Sequence, residues 1–283
     1  MSFTEGKIPV AVQGTRGAYS QLAAEKMFPD GSFLYFKNFG AVISAVDQKL
    51  CRFGVLPLEN NTYGSVRAVY RLLQTREVSI AYAMRLKIDH VLLAKEGTAL
   101  QDIRRVISHE QALGQCEAFL HSLGDKVSID ACLNTAVAAR MTAESDDPAL
   151  AAVSSPECAE IYGLKVLKRH IADNNSNFTR FICISGKEES GIPGKSEKPN
   201  RLSLILTIPH RPGTLSGILD LFAEKNINLL KIESVPIPGK DFEFMFFIDI
   251  EETENPETTR KILTELEEIC PVVRCLGSYY EEY

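Results

Sequence analysis

The sequence predicts an α/β protein followed by a smaller α+β unit of ferredoxin-like order, and three observations predict it. Short apolar runs alternate with helical apolar spacing across residues 7–185, the pattern of strands and helices arranged around largely parallel sheets. Residues 186–200, rich in Gly, Ser, Lys, Glu and Pro, interrupt that pattern and read as a linker by composition. Beyond them the order is strand, helix, strand, strand, helix, strand, the βαββαβ arrangement.

The chain has 283 residues, which exceeds the usual single-domain size and allows two or three compact units. Its 31 Lys and Arg against 37 Asp and Glu leave a formal charge of −6, with no long basic run. Nucleic acid and anionic membranes are therefore excluded as expected partners. Any anion must be held by local donors. The seven cysteines, at 51, 116, 132, 158, 183, 270 and 275, are scattered and mostly flanked by apolar residues. They read as reduced core thiols; Cys270 and Cys275 lack the partners a zinc site needs, and no metal is expected. Residues 1–7 show no apolar signal core and no stretch approaches membrane-spanning length, so a soluble cytoplasmic protein is expected.

The apolar run Ile8-Pro9-Val10-Ala11-Val12 passes through Gln13-Gly14-Thr15-Arg16-Gly17-Ala18-Tyr19-Ser20 into helical spacing. Two glycines permit a tight turn, and the free N–H groups of a helix start can hold an anion. Phe53-Gly54-Val55-Leu56-Pro57-Leu58 then runs into Glu59-Asn60-Asn61 and a helix over residues 66–73. Glu59 fits two readings, a carboxylate facing a cleft and a helix cap. Arg105-Val106-Ile107 leads to Ser108, the expected N-cap, and a helix carrying His109 and Gln111. His109 is either an acid or base near neutrality or an exposed first-turn residue. Further strand–helix junctions follow at Asn134-Thr135-Ala136 and at Ser154-Ser155-Pro156-Glu157.

These polar segments all sit at strand C-termini, which share one edge of a parallel sheet; they are expected to converge. Residues 88–93 and 165–167 read as crossings between two lobes. One lobe is expected over about 7–80 and 165–185, the other over about 81–164. Beside the hinge lies Asp173-Asn174-Asn175-Ser176-Asn177-Phe178-Thr179-Arg180-Phe181. It reads as a turn by composition, or as polar chemistry delivered at the mouth of a buried strand. In the C-terminal unit, Pro212-Gly213-Thr214-Leu215-Ser216 starts a helix and Pro236-Ile237-Pro238-Gly239-Lys240 forms a turn between strands over 229–235 and 242–250. A four-stranded sheet with one helical face commonly needs a partner to cover an edge, so dimerisation through this unit is expected.

Gly14-Thr15-Arg16-Gly17-Ala18-Tyr19-Ser20, Pro57-Leu58-Glu59-Asn60-Asn61, Ser108-His109-Glu110-Gln111-Ala112, Asn134-Thr135-Ala136 and Asn177-Phe178-Thr179-Arg180-Phe181 resemble the ordered motifs of prephenate dehydratases. The C-terminal unit, with Gly213-Thr214-Leu215-Ser216 and Glu233-Ser234-Val235-Pro236, is similar to the ACT regulatory domain by which that family senses phenylalanine. The resemblance implies a catalytic domain over 7–185 with a two-lobed fold like type II periplasmic binding proteins, a linker over 186–200 and an ACT domain over 201–278. It departs from the family pattern at Asn61, where Ser or Thr is common, and at Val235, where Arg is common.

What the resemblance implies chemically is loss of carbon dioxide and hydroxide from prephenate, a dianion, to give phenylpyruvate in L-phenylalanine biosynthesis. No cofactor is expected. Thr179 is the expected donor to the departing oxygen, Arg180 the carboxylate clamp, and Glu59 a further catalytic group that binds the ring hydroxyl, is protonated in the closed cleft or orients Asn60 and Arg180. Thr15, Ser20, Asn60, Asn61, Ser108, Gln111, Asn134, Thr135 and Phe181 are the expected substrate-binding residues. Gly213, Thr214, Leu215, Ser216, Glu233, Ser234 and Pro236 are the expected site of inhibition by L-phenylalanine, in a homodimer formed through the ACT domain and assembled to a homotetramer. Three other readings stay open: an arogenate dehydratase, a cytosolic amino-acid sensor without catalysis, and a phosphoribosyltransferase, which the lack of a paired acidic loop for pyrophosphate disfavours.

Overall fold

The computed structural model describes residues 6–187, 189, 191–237, 244–253 and 255–283. The first lobe comprises β1 (Pro9–Gln13), α1 (Tyr19–Met27), β2 (Ser32–Phe36), α2 (Phe39–Asp47), β3 (Phe53–Asn60), β4 (Gly64–Ser65), α3 (Arg67–Thr75) and β5 (Val78–Lys87). Val10, Ala11 and Val12 are wholly buried because β1 pairs in parallel with β2 and β3 and carries helices on the sheet faces, which favours continuous apolar runs. The chain then crosses to the second lobe: β6 (Val91–Ala94), β7 (Arg105–Ser108), α4 (Glu110–Gly114), α5 (Glu117–Ser122), β8 (Ser128–Ala131), α6 (Thr135–Glu144), β9 (Leu150–Ser154), α7 (Glu157–Tyr162) and β10 (Lys165–Lys168). It returns on β11 (Phe178–Gly186).

Two boundaries differ from expectation. All of β5, including residues 81–87, belongs to the first sheet, and β10 pairs antiparallel with β6 in the second. The crossings therefore run over residues 88–90 and 169–177. The sheets are also mixed rather than largely parallel. β11 lies antiparallel to both β3 and β5, since a strand that re-enters a lobe beside the strand that left it must run the opposite way.

The C-terminal unit contains β12 (Arg201–Thr207), α8 (Thr214–Glu224), β13 (Leu229–Pro236), β14 (Phe244–Glu251), α9 (Pro256–Ile269) and β15 (Val272–Glu282). Asn255 caps α9 by accepting from Glu257 N at 3.0 Å, with Pro256 at the first turn. Part of the expected turn over 236–240, and the expected strand start at Phe242, lie outside the described residues. Antiparallel pairing gives the order β13-β14-β12-β15, as the ferredoxin-like reading requires.

This unit is not a separate body on a free linker. Tyr280, Glu281 and Glu282 of β15 pair in parallel with Tyr82, Ala83 and Met84 of β5, joining its sheet to that of the first lobe. Ile192 within the expected linker is buried against the first lobe's core. The helix-free face of the sheet packs Ile205, Val235, Met245, Phe247 and Leu276 against Val69, Tyr70 and Leu73 of α3, while α8 and α9 cover the other face. The β15 edge and the helix-free face are thus covered within the chain; β13 pairs with β14 and has its other edge open among the described residues.

The junction between the sheets demands glycine at one point. Gly277 has φ 147°, and a Cβ there would lie 2.3 Å from the Ile80 carbonyl oxygen. Gly277→Ala is expected to lower the unfolding free energy by upward of about 2 kcal/mol through overpacking and backbone strain. Gly186→Ala, at a position with no atom within 4 Å, is expected to change it by less than about 0.5 kcal/mol; urea unfolding of the two variants checks the pair.

Candidate active site

A cleft of about 610 Å³ separates the lobes. From the first lobe it is lined by Gln13, by Tyr19 and Ser20 at the start of α1, by Asn60, by residues 63–68 leading into α3, and by Thr179 and Phe181 of β11. From the second come His109, Gln111 and Gln115 of the α4 region and Asn134 and Thr135 at the start of α6, with Ile88 and His90 at the crossing. Three helices of nine or ten residues, α1, α3 and α6, therefore begin at the cleft. Helix starts present unpaired N–H groups and a partial positive charge. Asn134 caps α6 by accepting from Val137 N at 2.8 Å, whereas the N-caps of α1 and α3 are Ala18 and Val66, without a side-chain cap.

Among the described residues that line the cleft, no Asp or Glu occurs, and Arg67 is the one Lys or Arg. An anion is thus met by neutral donors, helix starts and a single guanidinium, although the whole chain is acidic.

Asn60 organises one wall. Its Oδ1 accepts from the backbone N–H of Thr62 at 2.9 Å and of Tyr63 at 3.0 Å, which fixes the amide's orientation. Nδ2 accordingly donates to Thr179 Oγ1 at 3.0 Å, to Asn177 Oδ1 at 2.8 Å and to the Phe178 carbonyl at 3.2 Å. A hydroxyl that accepts from an amide keeps its own hydrogen to donate, so Thr179 is set to donate into the cleft. Across the gap, Tyr63 Oη donates to the Gln111 carbonyl at 3.2 Å.

The crossing is joined by a second chain of polar contacts. His90, 2% exposed, has Nε2 2.7 Å from Gln115 Oε1 and Nδ1 3.3 Å from Tyr19 Oη, while Tyr19 donates to the Asp89 carbonyl at 2.6 Å. Burial lowers the His90 pKa, which keeps the imidazole neutral. At the rear, Gly17 lets α7 approach closely: Cys158 Sγ donates to the Gly17 carbonyl at 3.4 Å, and a Cβ on Gly17 would lie 2.7 Å from that sulfur.

The structure brings Ser20, Asn60, Gln111, Asn134, Thr135, Thr179 and Phe181 of the expected residues to the cleft and leaves five outside it. Thr179 pairs with Asn60 and Arg180 with Glu59 across β11 and β3. Successive strand residues face opposite ways, so Thr179 and Asn60 reach the cleft while Arg180 and Glu59 face the C-terminal unit. Glu59 there accepts from Lys231 Nζ at 2.8 Å. Arg180 is 5% exposed and bonded to Asp249 Oδ2 at 2.7 Å and Tyr279 Oη at 2.6 Å; it is not placed to clamp a ligand in the cleft. Thr15 lies in the turn before α1, outside the lining. Asn61 uses its side chain to tie the loop to Ser176 O and Phe178 N. Ser108 ends β7 and donates to the Val153 carbonyl at 2.6 Å; the cap of α4 is His109, whose Nδ1 accepts from Gln111 N at 3.3 Å.

The family model described as prephenate dehydratase matches residues 10–189, and that of the ACT domain matches residues 203–268. The chain belongs to the prephenate dehydratase family. It is 38% identical to arogenate dehydratase 2 of Petunia hybrida over 98% of this chain and 73% of that protein. Among solved structures, prephenate dehydratase from Arthrobacter aurescens in complex with L-Phe is 28% identical with a TM-score of 0.85, covering 96% of this chain and 90% of that one. A protein described as GqqA, a novel type of quorum-quenching acylase, is 29% identical with a TM-score of 0.85 over 97% of this chain and 98% of that one.

For this prephenate dehydratase family member, sequence reasoning missed Gln13, Tyr63, Arg67, His90 and Gln115 as cleft residues. Gln13 was detectable as the polar residue closing a buried strand. Strand alternation in Thr179-Arg180-Phe181 was also available, and it separates Arg180 from its neighbours. Arg67 and His90 carried no local signal.

Asn60→Ala is expected to lower kcat by about tenfold to a hundredfold, as loss of orientation does. Asn60→Asp is expected to be at least as impaired, because a carboxylate facing Thr179 takes its hydrogen away from the cleft; steady-state kinetics on both variants decide this. Asp249 is held below the usual carboxylate range: burial raises its pKa, and the guanidinium groups of Arg180 and Arg201 outweigh burial. Its contribution is therefore fully present above the unfolded-state value of about 3.9 and lost as pH falls through the lower folded value. Asp249→Asn is expected to cost about 3–5 kcal/mol at neutral pH, and urea midpoints of variant and wild type are expected to converge below pH of about 4.

Proposed function

We propose that the cleft expels water and carbon dioxide from prephenate, giving phenylpyruvate, with Thr179 acting on the leaving oxygen. The observation that carries this reading is the oriented Asn60 amide, which donates to Thr179 Oγ1 at 3.0 Å and leaves the hydroxyl hydrogen directed to other acceptors. In the reaction the bond to the ring carboxylate breaks, its electron pair enters the ring, and the carbon–oxygen bond to the ring hydroxyl breaks as aromaticity forms. Carbon dioxide leaves, and the departing oxygen takes a proton from solvent to become water. A threonine hydroxyl is too weak an acid to ionise, so Thr179 stabilises the developing charge by hydrogen bonding. One preorganised donor of this kind is worth about 10²–10³ in kcat.

Ser20, Gln111, Asn134 and Thr135 supply neutral donors for substrate oxygens, with Phe181 beside the ring, and the uncapped starts of α1 and α3 suit carboxylates. Arg67, not Arg180, takes the charged role in the cleft. A cleft without Asp or Glu among its described lining favours prephenate, which carries no cation, over arogenate, whose ammonium calls for an acidic partner. The arogenate reading has its own support in the 38% identity to a protein named arogenate dehydratase.

L-Phenylalanine inhibits through the ACT unit, binding near residues 213–216 at the start of α8 and residues 233–236 of β13. Gly213, at φ 84°, forms the left-handed N-cap of α8. Lys231 of β13 reaches Glu59 at 2.8 Å, Ser65 at 3.1 Å and Glu233 at 3.2 Å, and Ser65 lines the cleft. Occupancy of β13 thereby biases the cleft wall, given different affinity in two states. Exposed Ile232 and Phe244 beside the open β13 edge suit a second copy, so the unit is a homodimer through the ACT domain, assembled to a homotetramer. Seven free thiols, five of them buried, suit a reducing compartment and a cytoplasmic location.

Phenylpyruvate formation from prephenate is expected at least tenfold faster, in kcat/KM, than phenylalanine formation from arogenate, about 1.4 kcal/mol of discrimination. Thr179→Ala is expected to lose about a hundredfold in kcat, and added L-phenylalanine to inhibit the wild type. Wild-type turnover by Thr179→Ala removes the role given to Thr179, and preference for arogenate reverses the substrate assignment.

A further inference from the structure

Arg180 stands between two cleft residues, Thr179 and Phe181, yet its side chain is enclosed by the ACT sheet. Its Nη1 bonds Asp249 Oδ2 at 2.7 Å, and Nη1 of Arg201 bonds the same oxygen at 2.8 Å. The Nε atoms of Arg180 and Arg201 meet Glu281 Oε2 at 3.1 and 2.5 Å, ionic contacts rather than aligned hydrogen bonds. Ser203 donates to Asp249 Oδ1 at 2.5 Å, and Tyr279 accepts from Arg180 Nη2 at 2.6 Å. The four charged residues are at most 7% exposed. Three of them come from different strands of the ACT sheet: Arg201 from β12, Asp249 from β14 and Glu281 from β15.

Such a ring adds little net stability, since desolvation offsets most of the attraction. It does fix orientation, because planar guanidinium forks accept few geometries. Its position matters for that reason. The ladder between β11 and β3 shifts register between Arg180 and Phe181, and a bulge disrupts regular pairing locally. The ring anchors β11 where its own ladder is irregular.

We propose that Arg180 is a positioning residue: the buried ring holds the irregular point of β11 so that Thr179 keeps its reactive geometry, and the ACT sheet is a structural part of the catalytic centre. This rests on the reading of Thr179 given above. The ring then acts on the transition state and not on substrate affinity, so its loss appears in kcat rather than KM. A clamp on a substrate carboxylate has the opposite signature.

The test is steady-state kinetics on prephenate with the full chain, comparing Arg180→Met, Asp249→Asn and the double variant Arg180→Met with Asp249→Leu, each checked for folding by circular dichroism. Asp249 lies outside the cleft lining, yet Asp249→Asn is expected to lose about tenfold to a hundredfold in kcat while KM moves by less than about threefold. The double variant is expected to be no slower than Arg180→Met, since members of one cluster are not additive. Where Asp249→Asn does not fold, the double variant carries the same kcat-against-KM split, because apolar replacement of a buried pair preserves folding. Wild-type kcat in Asp249→Asn, or loss in Arg180→Met confined to KM, overturns the proposal. Thr179→Ala with wild-type turnover overturns instead the reading on which it rests, whatever the ring variants show.

Discussion

Two-residue alternation along β11 is the constraint on which the rest of this molecule depends. The strand is hydrogen-bonded on both sides, to β3 and β5, so its side chains have only two directions available. Thr179 and Phe181 take one and enter the cleft; Arg180 takes the other and enters the ring with Arg201, Asp249 and Glu281. One tripeptide thereby lines the cleft on one face and attaches a domain on the other. β3 repeats the division, with Asn60 turned to the cleft and Glu59 to Lys231.

The attachment is unusually continuous. β15 leaves the ACT sheet and pairs with β5, Gly277 lets the two backbones meet, and Tyr70 packs on Phe247 with ring centroids 4.6 Å apart. A sheet shared in this way transmits displacement through packed backbone rather than through a flexible tether, since close-packed interiors resist compression. Lys231 adds a shorter path, reaching Ser65 on the cleft wall directly.

Charge explains the cleft's composition. A chain of net charge −6 repels an anionic ligand at long range, and neutral amides, hydroxyls and helix starts offset that repulsion locally without burying cations that need partners of their own. Arg180 shows the alternative: a guanidinium beside two carboxylates is neutralised within the protein.

Much of this was legible in the sequence. Apolar periodicity delivered the strand–helix alternation and the βαββαβ order, because burial of one face imposes a period that survives in the residues themselves. Polar residues after apolar runs marked Asn60, Gln111 and Asn134, and the polar stretch ahead of an apolar run marked Thr179, since strand ends and helix starts share one edge of a sheet and an antiparallel strand begins there. Tertiary structure alone decided the partners. That Arg180 meets Asp249, 69 positions away, or that His90 meets both Tyr19 and Gln115, depends on which strands lie side by side. The same holds for the joining of β15 to β5, where the expected domain boundary disappeared into one sheet. Local sequence sets which way a side chain points along its own strand; what stands there to receive it is set by the pairing of distant segments.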